Sequence, residues 1–215
     1  GCSALEHVDD LYSLTRLEYD VFSHCVSLIS VDCSDKLTAI GSSAFFGCKA
    51  LVSIGDLSNV TSIESSVFRG CIALKSIGNM PKLESIGMQC FMGCTALETV
   101  GDLSSLKEIP SETFDGCTSL VSIGDLSNVT IIGSYGFNQC KKLTSIPNLG
   151  SLESVNQSAF SGCESLALLG NLRKLTSFGY PSFDNCPNLV LEVLPDSAAE
   201  QYAKDYNMQY TYITE

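Results

Sequence analysis

IGSSAFFGCKALVSI, at residues 40–54, returns 23 residues later as IESSVFRGCIALKSI (63–77). It returns again as IPSETFDGCTSLVSI (109–123) and VNQSAFSGCESLALL (155–169). Cysteines mark the same period at 2, 25, 48, 71, 94, 117, 140, 163 and 186. A fixed period in this range marks a solenoid, whose coils bury their apolar faces against one another. Taking each of these cysteines as position 0, position 3 is Leu in nine coils, from Leu5 to Leu189. Position 20 is Phe in eight, from Phe22 to Phe183. Position 6 runs from Val8 through Ile54 and Ile123 to Leu169 and ends in Glu192.

Within a coil, apolar residues recur at positions 3, 6, 9, 12 and 15. A period of three is neither that of a strand nor that of an α-helix. It suits a chain that winds in short extended arms joined by corners. Positions 15, 19, 20 and 23 then predict a helical turn around the Phe, and positions 3–8 one short strand. One coil alone is unstable. Each fully buried apolar side chain stabilises by roughly 1.5–3 kcal/mol, while ordering costs on the order of 1.5 kcal/mol per residue. Stability must come from the array.

The period also explains the cysteines. Of eleven, nine form one inward column of small hydrophobes, Cys90 falls in a small-residue column, and Cys33 in a column of Asp and Asn. They are read as free buried thiols, because parallel stacked side chains make poor disulfide geometry. No CxxC pair suggests a metal site. The 215 residues carry a net charge of −12, which speaks against nucleic acid as partner. No apolar run approaches the roughly 18 residues that cross a bilayer, so no transmembrane segment is expected.

The four stretches quoted above resemble the leucine-rich repeats of the BspA-like (Treponema pallidum) class. The resemblance covers residues 2–194, and LEVLPDSAAEQYAKDYNMQYTYITE resembles that family's closing segment. It implies an α/β solenoid: a right-handed leucine-rich-repeat coil of about nine 23-residue repeats over residues 1–194. Short parallel strands are expected on one face and short helical or 3₁₀ turns on the other. A C-terminal cap of helix plus short strand is expected at 195–215, with Asp196 or Ser197 capping the helix and Ala198, Tyr202 and Tyr206 covering the last coil. The family further implies cell-surface or secreted proteins of host-associated microbes, with adhesion to host or microbial macromolecules.

One departure from the family pattern stands out. Where family strands continue into I-P or L-P, the middle coils read I-G-D-L or I-G-N-M, and IGDLSNVT occurs verbatim at 54–61 and 123–130. The resulting column is Asp10, Cys33, Asp56, Asn79, Asp102, Asp125, Asn148 and Asn171. Its first reading is structural, an Asx side chain accepting from a backbone N–H two residues on. An exposed acidic ladder for cations or a basic partner, and a calcium site, are the other readings.

The candidate binding face is the outer side of the strands: Ser30, Ser53, Ser76, Thr99, Ser122 and Ser145, with Lys75 and Glu98 in the more variable column beside them. That face lacks the aromatic anchors usual in interface hot spots. No catalytic constellation emerges, and no cofactor is expected. His7 and His24 have no nucleophile at a motif spacing. The sequence therefore predicts a non-enzymatic extracellular or cell-surface binding module whose partner is a protein or glycan. The alternatives are a structural spacer that displays other domains and a glycan-binding face. Cys2 begins in register, so the first coil reads as a cut repeat with an open edge, predicting a longer parent or self-association there. Gly1-Cys2 also fits an outer-surface lipoprotein start, although the register explains Cys2 more economically.

Overall fold

Each 23-residue coil folds into two two-residue strands and a turn segment; in the second coil the strands are Ser30–Val31 and Ala39–Ile40. The computed structural model describes residues 1–9 and 11–214. It is a parallel β-solenoid of about nine turns. Ladder A starts at His7–Val8 and takes one strand per coil through Ser53–Ile54, Thr99–Val100 and Leu168–Leu169 to Val190–Val193 and Gln209–Tyr212. Ladder B runs from Arg16–Leu17 through Ser62–Ile63 and Glu108–Ile109 to Ser177–Phe178. Every pairing is parallel, and up to Leu168–Leu169 each residue meets the one 23 positions on, as His7 meets Ser30. The sequence leads one to expect strands on one face; the coil has them on two.

The ladders are interrupted at three coil boundaries. Ladder A is open between Ser53–Ile54 and Ser76–Ile77, and between Ser122–Ile123 and Ser145–Ile146. Ladder B is open between Ser85–Ile86 and Glu108–Ile109. Two of these seams have a visible cause. Elsewhere the residue after the strand donates its N–H across the boundary, as Gly124 does to Val100 and Gly133 to Ile109. At the seams that residue is Pro147 or Pro110, and proline has no N–H to give. At both ladder A seams the preceding bond is stretched to 3.4 Å, for Lys75 to Val52 and Thr144 to Val121.

The segment around each Phe is not the helix or 3₁₀ turn that the periodicity predicts. The residue two before each column Phe from Phe45 to Phe160 is left-handed: Ser43, Ser66, Gln89, Glu112, Tyr135 and Ser158 have φ between 53° and 59°. A right-handed helix cannot pass through such a residue. Isolated i→i−3 turn bonds, such as Phe46 N–H to Ser43 O and Cys48 N–H to Phe45 O, alternate with bonds between coils. The N–H groups of Ser43, Phe45 and Gly47 donate to the carbonyls of Ser65, Val67 and Arg69 in the next coil, at 2.9–3.0 Å. This turn face repeats at seven successive boundaries, always with the donor in the earlier coil. Among the described residues the one α-helix is α1 (Ala198–Asp205), after the repeats.

Three side-chain columns fill the coil. The Phe rings stack from Phe22 to Phe183 with centroids 5.2–5.7 Å apart and planes within 18° of parallel. The Leu column and the strand residues close around them. The cysteines do more than fill space. In the position-0 column, each Sγ–H from Cys48 to Cys186 donates to the carbonyl of a Phe 26 residues earlier, at 3.0–3.2 Å. A thiol is small and apolar enough for the core, yet can still spend a weak donor on that carbonyl.

All eleven cysteines are free: eight are buried, Cys33 and Cys186 are half-buried, and Cys2 is exposed. Burial pushes the Cys48 thiol up to about 12 and Cys33 up to about 11. Since the thiolate is the reactive form, an aromatic disulfide reagent at pH 8 should label Cys2 at once and Cys33 and Cys186 slowly. The remaining eight should react only in denaturant. Rapid labelling of more than three thiols in the native chain would contradict this packing.

The last coil changes register. Leu168 pairs with Val190 and Leu169 with Leu191, a step of 22 rather than 23. Leu191, and not Glu192, therefore continues the position-6 column. The shift spares the core an unpaired carboxylate, and Glu192 Oε2 instead accepts from the Asn171 N–H at 2.7 Å.

Helix α1 then crosses to Gln209–Tyr212, the final strand of ladder A. Ser197 is the N-cap, its Oγ accepting from Glu200 N–H. Ala199 and Ala203 are buried with Tyr202 beside them, whereas Ala198 is exposed. Buried Glu200 accepts from Lys204 Nζ at 2.8 Å, Tyr212 OH at 2.7 Å and Asp196 N–H at 2.8 Å. Led by Lys204 and then Tyr212, these partners hold its carboxyl down at about 2. A carboxylate depressed from an ordinary ~4.3 contributes stability that is complete above that value and disappears as pH falls toward the folded value. The helical chemical shifts of residues 198–205 should hold from pH 7 to 5 and decay between about pH 4.5 and 2. Glu200→Gln should weaken the helix at neutral pH and flatten that acid transition.

Candidate interaction surface

The outer side of ladder A is built by alternation. Ile and Val at position 6 point inward, so position 5 points out. Ser53, Ser76, Thr99 and Ser122 are exposed there, and Ser30 and Ser145 half-exposed, forming a hydroxyl column along the axis. Ser30 Oγ lies 2.9 Å from His7 Nδ1. Alongside runs position 4, with Ile29, Val52 and Val121 standing 38%, 37% and 41% exposed. Lys75 and Glu98 occupy the same column in adjacent coils and form no ion pair. The structure thus brings all eight sequence-selected residues onto one strip.

On the other side of the strip, position 7 is mostly glycine because the coils approach too closely for a side chain. A Cβ on Gly124 would lie 2.2 Å from Gly101 O, and one on Gly55 2.4 Å from Cys33 N.

The Asp/Asn column comes next and divides in two. Asp56 Oδ1 accepts from Ser58 N–H at 2.8 Å, and Oδ2 from Ser58 Oγ at 2.9 Å. Asp125 holds Ser127 in the same way, and Asp102 takes Ser104 N–H at 2.8 Å. The Asn members reach elsewhere. Asn79 Oδ1 accepts from Asp102 N–H in the next coil at 3.0 Å, and Asn148 Oδ1 from Asn171 Nδ2 at 2.9 Å. Asn171 Oδ1 takes Arg173 Nε at 2.6 Å. Two residues after Asn79 stands Pro81, which has no N–H, so the Asx turn cannot form there. Asp10 lies outside the described residues. Each described Asp and Asn of the column has a side-chain oxygen accepting within the scaffold, and no group of three His, Cys, Asp or Glu side chains placed to hold a metal ion occurs among the described residues.

Two further features lie away from this strip. On the turn face, Phe46, Arg69 and Met92 wall a groove of about 410 Å3 floored by Gly47, Gly70 and Gly93. Arg69 is held there by Gln89 Oε1 at 2.8 Å and lies 5.8 Å from the Phe46 ring centre. At the far end of the solenoid, a cleft of about 310 Å3 opens beside Phe183, Tyr202 and Tyr206. The helical spacing of Tyr202 and Tyr206 suggests that both cover the coil. The structure leaves Tyr206 50% exposed and adds Tyr180, 69% exposed, with their ring centres 5.8 Å apart.

A family model described as a BspA type leucine rich repeat region matches residues 1–98 and 84–204, in six copies. The fold is similar to the crystal structure of a T. pallidum leucine-rich repeat protein, with 24% identity and a TM-score of 0.63 over 98% of this chain and 87% of that one. It is also similar to a leucine-rich repeat protein from Eubacterium ventriosum, with 20% identity and a TM-score of 0.67 over 83% of this chain and 57% of that one. A third likeness is to a leucine-rich repeat protein from Bacteroides ovatus, with 23% identity and a TM-score of 0.50 over 99% and 79% of the two chains. At these identities the likeness is one of fold. A search of curated proteins gives no match.

Proposed function

We propose, from the premise that this chain belongs to the BspA-type leucine-rich repeat family, that it is a non-enzymatic extracellular recognition module that adheres to a host or microbial protein through the outer side of ladder A. Repeat solenoids of this kind supply extended surfaces for protein interaction. One observation carries the reading. Position 4 keeps one place in the coil while its side chain changes from Glu6 to Ile29, Val52, Lys75, Glu98, Val121 and Thr144. Inward columns keep one character throughout. A uniform scaffold that presents a non-uniform strip has the means to discriminate partners. Isoleucine and valine in that strip supply apolar contact, and Lys75 and Glu98 set charge register. No helix among the described residues is long and apolar enough to cross a membrane.

The test is binding of the purified chain to immobilised matrix proteins, with a carbohydrate array in parallel. A protein ligand should lose roughly tenfold or more in affinity on Val52→Ser with Val121→Ser, a change of about 1.4 kcal/mol, while Ser197→Ala leaves it unaltered. Success on glycans alone would replace this reading with a carbohydrate-binding face. Failure on every surface would leave the chain as a spacer.

A further inference from the structure

The turn face ends differently from the way it repeats. At each of seven coil boundaries three N–H groups of one coil donate to three carbonyls of the next, at 2.7–3.1 Å. The last such set runs from Ser158, Phe160 and Gly162 to Pro181, Ser182 and Asp184. In the eighth coil the equivalent donors would be residues 181, 183 and 185. The first is proline and has none. The N–H groups of Phe183 and Asn185 meet no acceptor among the described residues.

The closing segment does not take their place. Helix α1 contributes only a side chain here: the Tyr202 ring sits edge-on to Phe183 at 5.9 Å and stacks on Phe178 at 4.1 Å. Beyond it lies the cleft of about 310 Å3, lined by Phe183, Tyr180, Cys186, Tyr206 and Met208. Of the two donors, spaced two residues apart, Phe183 lines this aromatic cleft, and Asn185 lies in the adjoining shallow pocket beside Gly162 and Pro187.

We infer that this end is a peptide-docking site for an extended segment of a partner protein. Two alternate carbonyls of that segment accept from Phe183 and Asn185, and the apolar side chain between them enters the cleft against Tyr202 and Tyr206. Inside the solenoid every boundary already makes this arrangement. The carbonyls of Val67 and Arg69 accept from the preceding coil, and Phe68 between them turns inward. Extended backbone supplies carbonyls at that repeat, which is how peptides add to exposed edges. Asp184 lines the cleft in a chain of net charge −12, so the segment is neutral or basic. The site extends the protein-binding reading to a second surface, separate from the outer side of ladder A.

Amide hydrogen exchange on the full chain tests it. In the free protein, Phe183 and Asn185 should exchange about a hundredfold faster than Phe160 and Gly162. The probe is the capped peptide Ac-Thr-Val-Phe-Val-Thr-Lys-NH2 at millimolar concentration. It should slow both amides roughly tenfold; the peptide with Ala in place of Phe should do so far less. Tyr206→Ser, checked for an unaltered α1 by its helical chemical shifts, should abolish the protection while leaving ladder A binding intact. Protection of both amides in the free monomer would overturn the proposal, as would peptide shifts confined to ladder A. A chito-oligosaccharide that perturbs Tyr180 and Tyr206 where the peptide fails would overturn it in favour of a glycan site. Protection that rises with protein concentration, together with dimer in sedimentation, would assign the end to a second copy of the chain.

Discussion

Phe114→Ala is expected to lower the free energy of unfolding by about 3–5 kcal/mol, the range for a buried aromatic cut back to alanine. Phe114 is fully buried, with Phe91 and Phe137 stacked on either side at 5.3 and 5.2 Å. Removing the ring breaks both stacking contacts and opens a cavity in the middle of the array. In a solenoid, stability is approximately a sum of coil terms and nearest-neighbour interfaces, so loss of a central interface uncouples the two halves. Urea unfolding of the variant should show a lower midpoint and a broader transition. Phe22→Ala is the comparison. That ring is half-exposed and stacks on Phe45 alone, so its loss should cost less than half as much. Equal losses at the two positions would refute the nearest-neighbour picture.

A single methyl group at Gly124 should be nearly as damaging as some core truncations. Its Cβ would lie 2.2 Å from Gly101 O and 2.8 Å from Asp102 Cα, both backbone atoms. No rotamer change relieves that contact. The sixth coil would have to move off the fifth, pulling on the Ile123–Val100 pairing and on the Asp102 turn. Overpacking of this kind costs about 1–3 kcal/mol, and the backbone clash places Gly124→Ala toward the upper end. Gly78→Ala occupies the same position of the fourth coil but meets nothing within 4 Å, because it follows a seam. It should stay within about 0.5 kcal/mol of the parent. Thermal unfolding of the two variants side by side decides the matter; similar destabilisation would show that glycine here serves conformation rather than clearance.

The columns were legible because a fixed period lets one residue be read many times. Leu at position 3, Phe at 20 and Cys at 0 needed no structure to be placed inside. The turn around Phe was misjudged for a physical reason. Its left-handed residue is Ser43, Gln89, Glu112 or Tyr135, none of which announces positive φ as glycine does. The second strand face was hidden because two-residue strands leave no alternation to detect. Counting in steps of 23 ends the position-6 column in Glu192, because the last coil is one residue shorter than the period implies. The division of the Asp/Asn column could have been read directly. Asp56, Asp102 and Asp125 are each followed two residues later by Ser, whereas Asn79, Asn148 and Asn171 are followed by Pro81, Gly150 and Arg173. The open cleft at Tyr180 and Tyr206 was not legible, because it depends on which donors the cap leaves uncovered.

The three seams in the ladders bear on how the rod would fail. Ladder A opens after the third and sixth coils, ladder B after the fourth, and the turn face opens at no boundary between the first and eighth coils. No cross-section carries two of these joints. The arrangement is that of a bricklayer's bond, in which vertical joints in neighbouring courses never line up. A crack that starts at Pro147 or Pro110 runs at once into two unbroken courses. Proline, which weakens a ladder wherever it stands, is thereby tolerated twice in the rod without creating a plane along which it shears.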